Sequence, residues 1–143
     1  MKTDNSIRNI TIAAIKRSAI ELETWSYSKI VDEYDLELKR EFQLSDNELP
    51  VFEINSSTAK TLITTRRIIE RKKRELKFLE IDQVDDIIYG NFKEQLNQKP
   101  KLSTFRVIDI YGNQFDFQME TGKASIGLVR SVDTIAKLIR AKN

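Results

Sequence analysis

The chain of 143 residues contains no cysteine and no histidine. Without cysteine it has no disulfide, no thiolate metal ligand and no cysteine nucleophile, which fits a reducing compartment. Without histidine it lacks the commonest general base and the commonest transition-metal ligand. Serine triads of the usual kind, zinc hydrolases and His-ligated haem sites are excluded on that ground. Proline and glycine are scarce, two and four residues. The longest apolar run near the start is Ile12–Ala13–Ala14–Ile15, between Thr11 and Lys16. A membrane span needs about 20 apolar residues, and a secretory core needs more than this run offers. The expectation is a cytoplasmic, unprocessed protein with no cofactor and no metal.

What is present is charge, unevenly placed. The net formal charge is only +2. Residues 66–77 hold seven Lys or Arg against two acids, whereas residues 20–53 hold ten acids against three bases. Such asymmetry steers a partner or joins one segment to the other.

Residues 5–23 read as an amphipathic helix. Ile12, Ile15, Ala19 and Leu22 recur at three and four, Ile7, Ile10 and Ala14 widen the stripe, and Asn5 or Ser6 is placed to cap it. Residues 26–42 read as a second helix from the spacing of Ile30, Tyr34 and Leu38. Ser45–Pro50 breaks the pattern, and Pro50 suits a strand entry. A division follows: a helical N-terminal segment, 1–48, and a β-rich domain, 49–143.

From Val51 the period changes. The stretch Thr58–Lys73 allows a helix, since Leu62, Ile69 and Leu76 repeat at seven, but its Thr and Ile content favours strands. Residues 75–81 and 84–92 extend the β reading, and 97–101 form a polar loop. The clearest local signal is 105–119: Phe115, Phe117 and Met119 alternate with polar residues, and Gly112–Asn113 provides a hairpin turn. The chain closes on a helix with Val129, Val132, Ile135, Ala136 and Ile139 as its apolar stripe.

The words LITTRRII, Leu62 to Ile69, and LEIDQVDDI, Leu79 to Ile87, followed by the 105–119 hairpin and a final helix, resemble the pleckstrin-homology-like superfamily, in particular its small bacterial and GRAM-type members. The resemblance covers residues 50–143. The turn after Ile69, ERKKRE, departs from it by lacking a glycine, and residues 1–49 have no counterpart. The resemblance implies an α+β fold: a bent antiparallel β-sandwich or barrel capped by a C-terminal helix, here preceded by the N-terminal helical segment. It also implies a binding module for phosphoinositides, peptides or proteins rather than an enzyme.

Arg66, Arg67, Arg71, Lys72, Lys73, Arg74 and Lys77 are the candidate binding residues. They are suited to phosphate groups or an anionic membrane surface, since Arg donates in bidentate pairs and Lys acts as a mobile point charge. Two structural alternatives stand beside that reading: charges that protect a hairpin edge, and packing against the acidic N-terminal region. Nucleic acid is disfavoured, because Phe78 is the sole aromatic near the run and is expected to face the core. Asp82, Asp85 and Asp86 lack EF-hand spacing and read as a solvated turn. Tyr89–Asn91 and Tyr111–Asn113 both read as turns. Glu120–Ser125 lacks the upstream glycine of a phosphate loop. Trp25 is expected to dock the N-terminal segment. No residue is assigned a catalytic role. The leading expectation is a protein or peptide partner, regulatory or immunity-type; the oligomeric state is not determined.

Overall fold

The computed structural model describes residues 2–19, 21–31, 35–89 and 101–140. Helix α1 spans Asp4–Ser18. Its cap lies upstream of the two expected candidates: Thr3 accepts a hydrogen bond from the Ser6 amide at 3.1 Å. Ile7, Arg8, Thr11, Ala14 and Ile15 form its buried face. The helix ends at Ala19, so Leu22 falls in a separate 3-10 turn, Leu22–Thr24, and is 41% exposed. The expected Ile12–Leu22 stripe is therefore rotated and shortened.

The expected helix over 26–42 is not formed as such. Ser28–Ile30 is strand β1, and α2 covers only Leu36–Glu41. Tyr34, the middle of the proposed stripe, lies outside the described residues. The cause of the strand is tertiary. Glu120 accepts from the Ser26 amide, the Tyr27 amide and the Ser28 hydroxyl, each at 2.8 Å. That draws the chain onto the next strand, where Ser28 pairs with Ile54 and Ile30 with Phe52. Ladder bonds and a fully satisfied carboxylate outweigh a weak local helix preference.

The remaining strands are β2 (Pro50–Asn55), β3 (Lys60–Thr64), β4 (Arg67–Lys72), β5 (Glu75–Glu80), β6 (Val84–Ile88), β7 (Leu102–Asp109) and β8 (Gln114–Glu120). Helix α3, Ala124–Arg140, ends the described chain. All strand pairs are antiparallel, in the orders β1-β2-β3-β4-β5 and β6-β7-β8. The protein is thus α+β, with a five-stranded and a three-stranded antiparallel sheet, an N-terminal helix and a C-terminal helix. The sheets keep separate ladders and do not close into a barrel among the described residues. The 3-10 turn Ile81–Gln83, anchored by the buried Ile81, carries the chain from one sheet to the other.

The main core lies between the two sheets and α3, with α1 packed on α3. Phe52, Ile54, Ile63, Ile68, Phe105, Phe117 and Met119 are fully buried there. Each such side chain contributes about 1.5–3 kcal/mol on burial. On α3, Val132 and Ile135 face the core as expected, but Leu128 joins them while Val129 is half-buried. Gly127 explains the shift. An added Cβ there would meet the Phe52 ring at 2.7 Å and Trp25 at 3.0 Å, so the helix approaches along its glycine. Trp25 packs edge-on to Phe52, with ring centroids 5.9 Å apart.

A second, smaller core sits on the opposite face of the large sheet. Leu62 and Ile69 meet Val31, Leu38 and Phe42, with Leu44 and Leu76 at its rim. Strands β3 and β4 are consequently buried on both faces. Neighbours such as Leu62 and Ile63, or Ile68 and Ile69, point to different cores and are all fully buried. This is why LITTRRII shows no period-two alternation and reads ambiguously.

The 105–119 hairpin forms as expected. Gly112 takes φ 86°, and the Asp109 carboxylate accepts from the Tyr111 and Asn113 amides at 2.9 and 2.8 Å. In the β4–β5 turn, Lys73 itself takes φ 60° and fills the left-handed position that a glycine would favour. Gly90 and Asn91 of the first expected turn and most of the 97–101 loop lie outside the described residues. Among those described, no helix is long and apolar enough to cross a membrane.

Candidate binding surface

The seven basic residues lie on one hairpin and its flanks, but they do not act together. Arg66 points to α1, where its Nε and Nη2 reach the two oxygens of Asp4 at 3.0 Å each. The Thr65 hydroxyl donates to the same carboxylate at 2.6 Å. Burial pushes Asp4 up, but the bonds from Arg66 and Thr65 outweigh it and hold the carboxyl below its ordinary pKa. Arg67 forms the most buried of the pairs. Its Nε and Nη2 reach Glu48 at 3.0 and 2.9 Å, and its guanidinium lies over the Phe78 ring, 4.8 Å from the centroid. Glu48 is fully buried and also accepts from the Thr64 hydroxyl at 2.5 Å and the Ser45 amide at 3.1 Å. Burial raises its pKa, but these bonds prevail and lower it. Arg71 pairs with Glu41 at 2.7 Å. Lys77 pairs with Glu70 at 3.3 Å, donates to the Asp116 carbonyl and sits over the Phe117 ring.

Four of the seven cations are therefore committed to the protein's own groups. Glu41 and Glu48 come from the acidic stretch 20–53 and Asp4 from the start of α1, so the N-terminal segment and the basic hairpin neutralise each other in part. Lys72, Lys73 and Arg74 are exposed and make no ion pair among the described residues. With Glu75 they line an open concavity of about 550 Å³ at the tip of the hairpin.

This tip begins β5, an edge of the large sheet. The Ile81 amide donates to the Arg66 carbonyl at 2.8 Å, continuing the register in which Arg67 faces Glu80. Antiparallel pairs alternate between bonded and non-bonded. Leu79, Lys77 and Glu75 therefore bond inward to β4, whereas the amides and carbonyls of Leu76 and Phe78 and the amide of Glu80 point outward; the Glu80 carbonyl belongs to the 3-10 turn that follows. No strand lies on that outer side among the described residues. The β4–β5 register contains no bulge and the strand contains no proline, two common devices for blunting an edge.

Phe78 does not face the main core as expected. It stands opposite Ile69 on the outer face of the sheet and is 50% exposed, while Leu79 turns inward. Its exposure was hidden in the sequence because ELKFLEI supplies apolar residues of both parities. At the far end of β5, Glu80 and the exposed Asp82 present acid. Burial pushes the Glu80 carboxyl above its ordinary pKa, and Asp82 and Glu48 add to the effect. Asp85 and Asp86 are likewise exposed, and no group of three or more acids is set to hold a metal ion among the described residues.

Two further concavities are less suited to a ligand. One of about 310 Å³ has the Arg66–Asp4 pair as a wall. Another, of about 530 Å³, lies beside Trp25, where Arg8 already donates to the carbonyls of Pro50 and Val31.

No protein-family model, curated protein or solved structure matches this chain.

Proposed function

We propose that the protein is a non-enzymatic, pleckstrin-homology-like binding module that takes an extended segment of a protein or peptide partner along the outer edge of β5. The single observation behind this reading is the free edge itself. Leu76, Phe78 and Glu80 offer backbone donors and acceptors, and Phe78 adds a half-exposed ring held in place by Arg67. Strand addition uses these elements: main-chain bonds supply affinity, and alternate side chains supply specificity. The free cations Lys72, Lys73 and Arg74 favour a partner that is acidic where it meets the turn. The succession of two antiparallel sheets and a closing helix supports the pleckstrin-homology-like assignment. The acidic N-terminal segment covers the outer face of β3 and β4 and, among the described residues, leaves the β5 edge open.

The test is selection of extended peptides from a random displayed library on the wild-type chain and on Phe78→Pro. The proline removes one outward amide and leaves the β4 ladder intact, as edge strands tolerate. Enriched acidic peptides that bind wild type, shift the amide resonances of Leu76, Phe78 and Glu80, and fail on Phe78→Pro support the reading. Peptides that bind both chains equally, or shift another face, overturn it.

A second reading, recognition of an anionic headgroup or phosphate, is favoured by the three unpaired cations at one turn. At about 1 kcal/mol per base near an anionic membrane they supply about 3 kcal/mol, a dissociation constant on the order of millimolar. Sedimentation with acidic vesicles, compared between wild type and a Lys72→Glu, Lys73→Glu, Arg74→Glu variant, tests it. Absence of binding at low salt removes it.

A further inference from the structure

The edge formed by β5 is electrically polar. The turn before it carries the exposed cations Lys73 and Arg74, beside Lys72 at the end of β4; Glu75 opens the strand, and its far end carries Glu80 and, in the 3-10 turn, Asp82. Between the two ends Leu76, half-buried, and Phe78, half-exposed, share one face of the sheet. An edge with cations at one end, acids at the other and apolar groups between them is complementary to itself when reversed.

We propose that the segment occupying the β5 edge is β5 of a second copy of this chain, paired antiparallel about a two-fold axis; this rests on the reading of β5 as an open docking edge. Reversal sets the cationic turn of each copy beside the acidic end of the other. A parallel arrangement would oppose like charges, which costs stability. Because the outward amides belong to Leu76, Phe78 and Glu80, the bonded pairs at the centre of the new ladder must join residues of that set. One register satisfies this requirement and matches side chains as well: Leu76 opposite Phe78 of the second copy. It brings Arg74 opposite Glu80, sets the rest of the cationic turn near the Asp82 end of the other copy, and gathers two leucines and two phenylalanines on one face. Lys77 lies at the axis, but its ammonium is drawn to Glu70 and the Asp116 carbonyl of its own copy. The contact is isologous and closes on itself, so it yields a dimer rather than a filament.

Sedimentation equilibrium of the full chain over a concentration series, at low and high salt, reads the association. Wild type is expected to show a monomer–dimer equilibrium that salt weakens. Phe78→Pro is expected to be monomeric, and Phe78→Lys likewise, which covers the case in which the proline impairs folding. Charge exchange tests the register without touching the strand interior. Lys72→Glu with Arg74→Glu makes both ends of β5 acidic, and Glu80→Lys with Asp82→Lys makes both ends basic. Each variant alone is expected to be monomeric, while an equimolar mixture restores the dimer as a heterodimer. A wild-type chain that stays monomeric throughout overturns the second copy as occupant. The peptide selection on the same edge is then judged by its own result, so the two failures are separable. A dimer insensitive to Phe78→Pro and Phe78→Lys, or charge variants that associate like wild type, places the contact elsewhere and also overturns the proposal.

Discussion

Glu48→Gln tests the most heavily bonded contact between the N-terminal region and the large sheet. The wild-type carboxylate is inaccessible to solvent and accepts from Arg67, Thr64 and Ser45. Glutamine keeps the shape but removes the charge, leaving the Arg67 guanidinium, whose side chain is 13% exposed, without its counter-ion. Breaking a buried pair from one side costs about 3–5 kcal/mol. The low end, about 3 kcal/mol, applies because Arg67 keeps the Gln43 carbonyl and the Phe78 ring. At about 3 °C per kcal/mol for a chain of this size, the midpoint should fall by about 10 °C. Urea and thermal unfolding followed by circular dichroism at neutral pH measure both quantities. The pH dependence supplies a second reading. Glu48 and Asp4 are held below their ordinary values in the folded state. Their stabilisation is therefore complete above the unfolded carboxylate range, about pH 4, and is lost as pH falls through the folded values. Glu80, raised instead, has the opposite sign: its cost is absent below that range and grows as pH rises through it. The acid limb should be shallower in Glu48→Gln than in wild type. Replacing both partners, Glu48→Leu with Arg67→Met, should cost less than the sum of the single changes. A loss below about 1 kcal/mol for Glu48→Gln, the level of an exposed pair, would refute the reasoning.

Further expectations follow from single contacts. Glu120→Ala orphans the Ser26 and Tyr27 amides and the Ser28 hydroxyl, so it should cost about 3 kcal/mol and speed hydrogen exchange at 26–30 before the rest of the sheet. Gly127→Ala places a methyl 2.7 Å from the Phe52 ring; about 1–3 kcal/mol of destabilisation and a shift in Trp25 fluorescence are expected. Lys73→Gly relieves a side chain at φ 60° and should stabilise the hairpin by about 1 kcal/mol, measured by urea unfolding. A destabilising result there would mean that the Lys73 side chain contributes more than its backbone strain costs.

The elements that the sequence identified well are those whose evidence is local. The β7–β8 hairpin follows from alternation around Gly112, and α3 follows from its three-and-four spacing. The absence of cysteine and histidine needed no structure to interpret. The switch to strands near Pro50 was legible for the same reason, since one proline and one change of period carry it. Charge asymmetry was visible as well, and both ends of the later pairing were on view as an acidic stretch and a basic run.

Which cation meets which acid was decided only by the tertiary structure. Asp4 lies 62 positions from Arg66, and Glu48 lies 19 from Arg67. No pattern at that range distinguishes Arg67, locked against Glu48, from Lys72, left free. The strand at Ser28–Ile30 is of the same kind, because it exists through Glu120, more than 90 residues away. Burial of β3 and β4 on both faces erased the alternation that would have oriented them, and with it the sign that Phe78 faces outward. Local propensity and periodicity are properties of neighbours along the chain. Pairing, burial and free edges are properties of neighbours in space, and only folding determines those.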